Sequence, residues 1–269
     1  MDTWQASLEL EFLQNRQGKT IMSRNLHYGP LMVQRPFYQE EVCHVYLLHP
    51  PGGVAFCDNL SVKATAFENS HCLITTPGAT KFYKSNGRQS LFTQEFVIKD
   101  HASLEFLPAQ NIYYKGTNTK VTTAFYLEGE AKFAFRDVSK CGMKDETMPF
   151  EHSSLFNRIL VYKNQKLVLN ETCFIDGMDD YLSKAAINNH PYLGTYMSNA
   201  LSLDLIEYLA EHLKHDSYTF CLSNVDDIFI ARFLGDDNQS IEKAIVKLWL
   251  ESREQVIGFK PSIPRIWST

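Results

Sequence analysis

From the first residues to about Asp176, apolar and polar positions alternate with period two. In "SLELEF" Leu8, Leu10 and Phe12 alternate with Glu9 and Glu11, the spacing of a strand with one face buried. "VCHVYLL" (42–48) is a nearly unbroken apolar run, which suits a strand covered on both faces. "AFENSHCLITT", "QEFVIKD", "SLEFLP" and "TAFYLEGEAKFAF" follow, each bounded by Gly, Pro, Asn or Asp. "NRILVYKNQKLVLNET" predicts a hairpin, with strands at 159–162 and 167–169 around a Lys-Asn-Gln tip. No helix-length pattern separates these strands. The spacing therefore predicts an antiparallel or wound β architecture rather than βαβ units.

The last third changes period. "SLDLIEYLAEHLKH" places Leu205, Tyr208, Leu209 and His212 on one helical face, with Ser202 as its N-cap. "YTFCLSNVDDIFIARFLG" predicts a hairpin turning at 224–227. "NQSIEKAIVKLWLESRE" spaces Ile241, Ala244, Ile245, Leu248 and Trp249 at i, i+3, i+4, i+7 and i+8, after an Asp236-Asp237 start. The tail "PSIPRIWST" cannot be helical across its prolines and is expected as an extended end with an aromatic anchor. The fold class expected is mainly β, with wound antiparallel sheets and a small two-helix αβ part in the C-terminal third. One domain over 1–269 is expected, strand-rich over 1–176 and helix-containing over 177–269.

Composition narrows the function classes. Hydrophobic residues make up 44% of the 269, enough for a sizeable core, and the 18 Phe and 13 Tyr favour strands. A formal net charge of -5 without a dense Lys/Arg cluster argues against a nucleic-acid partner. The first 20 residues carry neither a basic n-region nor an apolar core, so they do not read as a signal peptide. No apolar run is long enough to span a bilayer. A cytoplasmic protein with no membrane partner is expected. In that setting the six scattered cysteines, none in C-x-x-C spacing, are expected as reduced core thiols.

Motifs for chemistry are sparse. "QGKT" (17–20) ends like a phosphate loop but has Leu13 where the first glycine belongs, so a turn at Gly18 is expected. His212 and His215 are spaced i, i+3 near a helix end, where they suit the dipole. His44 and His49 fall on opposite faces of a regular strand. Asp176, Asp179 and Asp180 in "DGMDD" lack the later glycine and glutamate of a calcium loop, and a polar turn is expected. No G-x-S-x-G elbow occurs. "TTPGATKFY" (75–83) places Pro77-Gly78 as expected for a type II turn with glycine at positive φ.

Six segments nevertheless occur in a telling order: "GPLMVQRPFYQE" (29–40), "CHVYLLHPPGGV" (43–54), "TTPGATKFYKS" (75–85), "LEFLP" (104–108), "ARFLGDD" (231–237) and "PRIWST" (264–269). Together they resemble urease accessory proteins of the UreD type, called UreH in some organisms, from residue 29 to the end. The resemblance implies a β-helical, non-catalytic cytoplasmic scaffold for nickel delivery to apo-urease. It implies that the scaffold binds accessory protein F and, through it, the GTPase accessory protein G, and that it contacts urease. A water-filled passage for nickel through such scaffolds has been proposed. No stably bound cofactor is implied, only nickel handled in transit. The residues that carry the signature are His49, Pro50, Pro51, Gly52, Gly53 and Asp58 in the first segment. In the second they are Thr75, Thr76, Pro77, Gly78, Lys81 and Tyr83.

This chain departs from the family pattern in three places. After "HPPGGV" the usual Val-Gly-Gly-Asp is Ala55-Phe56-Cys57-Asp58, so two glycines are replaced at positions where positive φ would strain a side chain. After "LEFLP" the usual Gln-Glu is Ala109-Gln110. "CGMKDETMP" (141–149) keeps little of a Cys-Leu-Gly-Arg-Pro run. Scattered donors such as Asp58, His49, Cys57 and Glu105 suit transient nickel contacts better than a closed four-ligand site. The competing expectation is a β-rich metalloenzyme with a site near Asp58, His49 and Cys57.

Overall fold

The computed structural model describes residues 4–39, 41–55, 57–143 and 146–268. Strand β1 (Gln5–Gln14) turns at Gly18 into β2 (Thr20–Tyr28), and Gly18 sits at φ 80°. Two short strands, β3 (Met32–Val33) and β4 (Phe37–Gln39), lead to β5 (Val42–Leu48). From there the chain winds. It lays β6 (Asn59–Ala66) on a first sheet, β7 (His71–Thr75) on a second, and the short β8 (Thr80–Phe82) on the way back. The next turn repeats this with β9 (Ser90–Ile98), β10 (Ser103–Leu107) and β11 (Asn111–Tyr113). β12 (Asn118–Leu127) and β13 (Lys132–Cys141) follow, and β14 (Ser154–Lys163) returns to the first sheet.

The winding makes the inner pairings parallel. β1–β6–β9–β12–β14 run parallel in the first sheet, and β5–β7–β10–β13 in the second. Antiparallel pairs lie at the ends: β1–β2 at one, and β14 with β15 (Lys166–Asp176) at the other. The mainly β class expected from the sequence forms, as does the β-helical winding that the resemblance implies. The antiparallel pairing expected of the sheets does not hold for the inner strands, because each turn of the coil brings the chain back in the same direction. The 159–169 hairpin also forms, around Asn164 and Gln165 at φ 49° and 68°.

Period two puts one face of each sheet inward. Leu8, Leu10 and Phe12 share one buried core with Val62, Phe96 and Phe125 from other strands of the first sheet. Across the gap Phe96 packs on Phe106 with ring centroids 4.5 Å apart, and Phe125 on Phe133 at 5.0 Å. Each such side chain contributes about 1.5–3 kcal/mol by leaving water.

The second sheet also has a covered outer face. After α1 (Gly177–Leu182) the chain adds β16 (Tyr192–Asn199) to that sheet, then α2 (Leu203–His212). The hairpin β17 (Tyr218–Val225) and β18 (Ile228–Gly235) leads into α3 (Asn238–Ile257). Ser202 and Asp237 cap α2 and α3, accepting from the amides of Leu205 and Ser240. The α3 face predicted from sequence is buried, and it continues through Ser252, Arg253 and Val256. Two local expectations differ. "DGMDD" enters a short helix rather than a turn, with the Asp180 carboxylate accepting from the Asp176 amide at 2.8 Å. The tail is extended only to Pro264; Arg265–Ser268 then form a 3-10 turn, because Pro264 supplies a carbonyl that the Trp267 amide reaches at 2.9 Å.

Candidate functional site

The two signature segments are far apart in sequence and in direct contact in space. The Val54 amide donates to the Lys81 carbonyl at 2.7 Å, and the Tyr83 amide returns a bond to the Val54 carbonyl at 2.9 Å. Gly53 permits this approach. A Cβ there would overlap the Tyr83 ring and come within 2.8 Å of the Lys81 carbonyl. Gly52 turns the chain at φ 80°. Gly78, by contrast, is not at positive φ, so the expected type II turn does not form. The Thr76 hydroxyl shapes that loop instead. It donates to the Gly78 carbonyl at 3.1 Å and accepts from the Ala109 amide at 2.8 Å. The changed Ala109 position thus contributes a main-chain contact that any residue but proline could make.

Together the loops form the mouth of a cavity of about 290 Å3. Its walls include Leu31, Leu47, His49, Pro50, Leu60, Thr76, Pro77 and Phe92. His49 is half-buried, and its Nε2 is enclosed without a hydrogen-bond partner. Burial lowers its pKa, against an opposing pull from the Asp58 charge. The imidazole is therefore neutral at pH 7 and carries an available nitrogen.

Beneath the cavity a narrow seam continues between the sheets. It shares Leu47, Thr76, Thr80 and Phe92 with the cavity and is lined deeper in by Gln94, Thr123, Asn111, Asn157 and Asp137. Its free volume, about 20 Å3, holds roughly one water. Asp137 is the seam's charge. It accepts from Asn157 Nδ2 at 2.5 Å, Asn111 Nδ2 at 2.9 Å and the Ser139 hydroxyl at 3.5 Å. Burial raises its pKa despite these three neutral donors. The nearby Tyr113 hydroxyl is buried without a hydrogen-bond partner. No sequence motif marks this group. Its signal is polar residues at inward positions of strands that are otherwise apolar, as with Gln94 between Phe92 and Phe96.

The four candidate nickel donors do not converge. Asp58 is nearly buried, and its carboxylate accepts from the amides of Trp4 at 3.1 Å and Ala55 at 2.8 Å. It ties the start of β1 to the first signature loop. Cys57 is half-buried at φ 62°, a left-handed conformation that glycine adopts freely. Phe56, the other replaced glycine, lies outside the described residues. Glu105 faces away from the seam, under α3. There it accepts from Trp249 Nε1 at 2.6 Å and from Arg253 Nε and Nη2 at 2.9–3.1 Å. Among the described residues no three His, Cys, Asp or Glu side chains are grouped to hold a metal ion. The proposed His49–Cys57–Asp58 centre of a metalloenzyme gains no support from this arrangement. His212 and His215 engage the Tyr208 carbonyl and Ser217, as helix-end residues. No helix among the described residues is long and apolar enough to cross a membrane.

Comparison with known proteins agrees with this geometry. The profile of the UreD urease accessory protein family matches residues 5–268. The urease accessory protein UreD of Klebsiella aerogenes is 36% identical over 267 residues, covering 99% of this chain and 97% of that protein. That of Citrobacter koseri is 35% identical, covering 99% and 92%. That of Alcanivorax borkumensis is 33% identical over 272 residues, covering 99% and 92%. The match spans both signature loops, the seam and the α3 face, and the role it carries is accessory rather than catalytic: the chain belongs to the UreD family of urease accessory proteins.

Proposed function

We propose that this chain is a cytoplasmic scaffold of urease maturation that handles nickel in transit to the apo-enzyme. It docks accessory protein F, recruits the GTPase accessory protein G through it, and contacts urease. One observation supports the nickel part above the others. The two signature loops open onto a cavity that runs into a polar seam ending at a buried carboxylate that has no cationic partner among the described residues. Oxygen donors of Asp137, Asn157, Gln94 and Thr123, with His49 at the mouth, are a set from which Ni²⁺ can exchange quickly, since no fixed chelate traps it. Asp58 is a positioning residue for the first loop, and Glu105 for α3. The whole chain acts as one scaffold, with the solenoid carrying the seam and the helical part covering its second sheet. The narrowness of the seam implies that its walls move for a partly hydrated ion to pass.

The test is co-expression with urease and accessory proteins F and G, followed by capture of F and assay of urease. Asp137→Asn keeps the side-chain shape and removes the charge; its new NH2 faces Asn157 or Asn111, either of which can turn its amide to present oxygen instead. It is expected to capture F as the wild type does and to lower urease activation at limiting nickel. Wild-type activation by this variant would remove the seam from the route. A wild-type chain that is soluble alone and ignores F would overturn the scaffold reading itself, because a docking surface for F should leave apolar area exposed in its absence.

A further inference from the structure

We propose that the C-terminal tail is a strap that holds the second signature loop in place, with Trp267 as its positioning residue. The inference deepens the reading of the seam as the functional site. α3 ends at Gly258 with φ 85°, which turns the chain back across the outer face of the second sheet. The described residues of the tail make no strand pairing there. It is fastened near its start, where Phe259 packs edge-on to His71 at 4.9 Å and the Lys260 carbonyl accepts from Arg253. Between its ends Ile263 is exposed. At the far end the Trp267 indole makes three contacts. Trp267 lies edge-on to Trp249 at 5.4 Å, beneath the Arg136 guanidinium at 4.3 Å, and its Nε1 donates to Thr75 Oγ1 at 3.0 Å.

The atom that the indole grips belongs to the residue before Thr76. The Thr75 hydroxyl in turn donates to the Leu107 carbonyl on the neighbouring strand at 2.6 Å. Thr76 is where three spaces meet. It lines the apolar cavity, the seam, and an open groove of about 590 Å3 between the loop and α3. Pro77 is the wall between cavity and groove. In a seam with room for one water, a small shift of this wall decides whether the passage is open. An indole N–H on Thr75 is thus placed to set that position from outside the sheet. A phenylalanine would fill the same space and lack the donor.

The experiment is amide hydrogen exchange at residues 76–80, in the complex with accessory protein F, for the wild type, Trp267→Phe, Thr75→Val, Thr75→Ser and the Trp267→Phe/Thr75→Val double variant. Trp267→Phe is expected to speed loop exchange about fivefold, the equivalent of one hydrogen bond of about 1 kcal/mol, and Thr75→Val by at least as much, because it also removes the bond to the Leu107 carbonyl. Thr75→Ser keeps the hydroxyl and should exchange as the wild type. The double variant should be no faster than Thr75→Val alone, because the Trp267–Thr75 bond is already absent there. Exchange in the β14–β15 hairpin should stay unchanged in all four, which separates loop release from general loosening. Wild-type loop exchange in Trp267→Phe, or singles whose effects multiply in the double, would overturn the strap. Urease activation is read in parallel. If loop exchange responds as expected while activation stays at the wild-type level, the strap stands and the nickel reading of the seam fails.

Discussion

Two carboxylates are buried on opposite faces of the same sheet, Glu105 on β10 and Asp137 on β13, and their surroundings differ in kind. Glu105 meets a guanidinium and an indole, so its charge is balanced and both oxygens are occupied. Asp137 meets two amides and a hydroxyl, so its oxygens are partnered but its charge is not. Burial costs the ionised form in both places, and only under α3 does an opposite charge offset it. The outer face is therefore built to hold a helix. The inner seam is built to favour a visiting cation, because a dication would supply what the protein withholds. The same sheet separates an anchor from a site, and exposure alone would not tell them apart.

The largest effect should come from breaking the anchor. Glu105→Ala leaves Arg253 buried without its carboxylate and Trp249 without its acceptor. About 3–5 kcal/mol of stability should be lost, as for other buried pairs missing one partner. The urea midpoint of the complex with accessory protein F would show it. A loss below about 1 kcal/mol would mean that the pair is dispensable and that Glu105 is free for another role.

The seam should respond in the opposite direction. Asp137→Asn removes a charge that burial disfavours, so the fold should tolerate or gain from it. The sign follows from the raised pKa. In the folded chain the acid form is favoured, so the stability it contributes is full below the ordinary 3.8 and is lost as pH rises through the folded value. Wild type should thus lose stability relative to Asp137→Asn as pH rises from about 3.8 toward neutrality, in contrast to Glu105→Ala, which should be the less stable form at pH 7. Parallel pH profiles for wild type and Asp137→Asn would show that Asp137 is balanced after all, and the contrast between the faces would collapse.

The strands, both C-terminal hairpins and the buried stripe of α3 are legible in the sequence because period and turn chemistry are local. Ser202 and Asp237 announce their helices for the same reason. Parallel winding is not local. Nothing in "SLEFLP" says that Glu105 points at a helix 144–148 residues later rather than into the seam. Its strand is buried on both faces, so alternation carries no direction. Asp137 escapes notice for a related reason. It follows Arg136 in a continuous buried run, and the amides that meet it come from strands 20 and 26 residues away. The signature loops were visible as composition, while their contact through Gly53 and Tyr83 is a property of the coil. Gly78 shows the limit of turn rules: a threonine hydroxyl one turn earlier outweighs the preference of Pro-Gly for positive φ.

The smallest effect concerns Cys57, which tests whether the first signature loop is as settled as the anchor. Its φ of 62° lies in the left-handed region, where a side chain costs about 1–2 kcal/mol. Glycine removes that cost but frees the unfolded chain by about 0.4–1 kcal/mol. Cys57→Gly should therefore stabilise by up to about 1 kcal/mol, while Cys57→Val, branched at Cβ, should destabilise by more than that. Because Ala55 and Asp58 are joined through a carboxylate bond across this residue, the strain is held by the same carboxylate that ties β1 to the loop through its other oxygen. Asp58→Asn should accordingly shrink the gain from Cys57→Gly, since a slackened loop can relax without it. If the two substitutions prove additive in denaturation, the positive φ is set by the flanking chain alone, and the loop's conformation there owes nothing to Asp58.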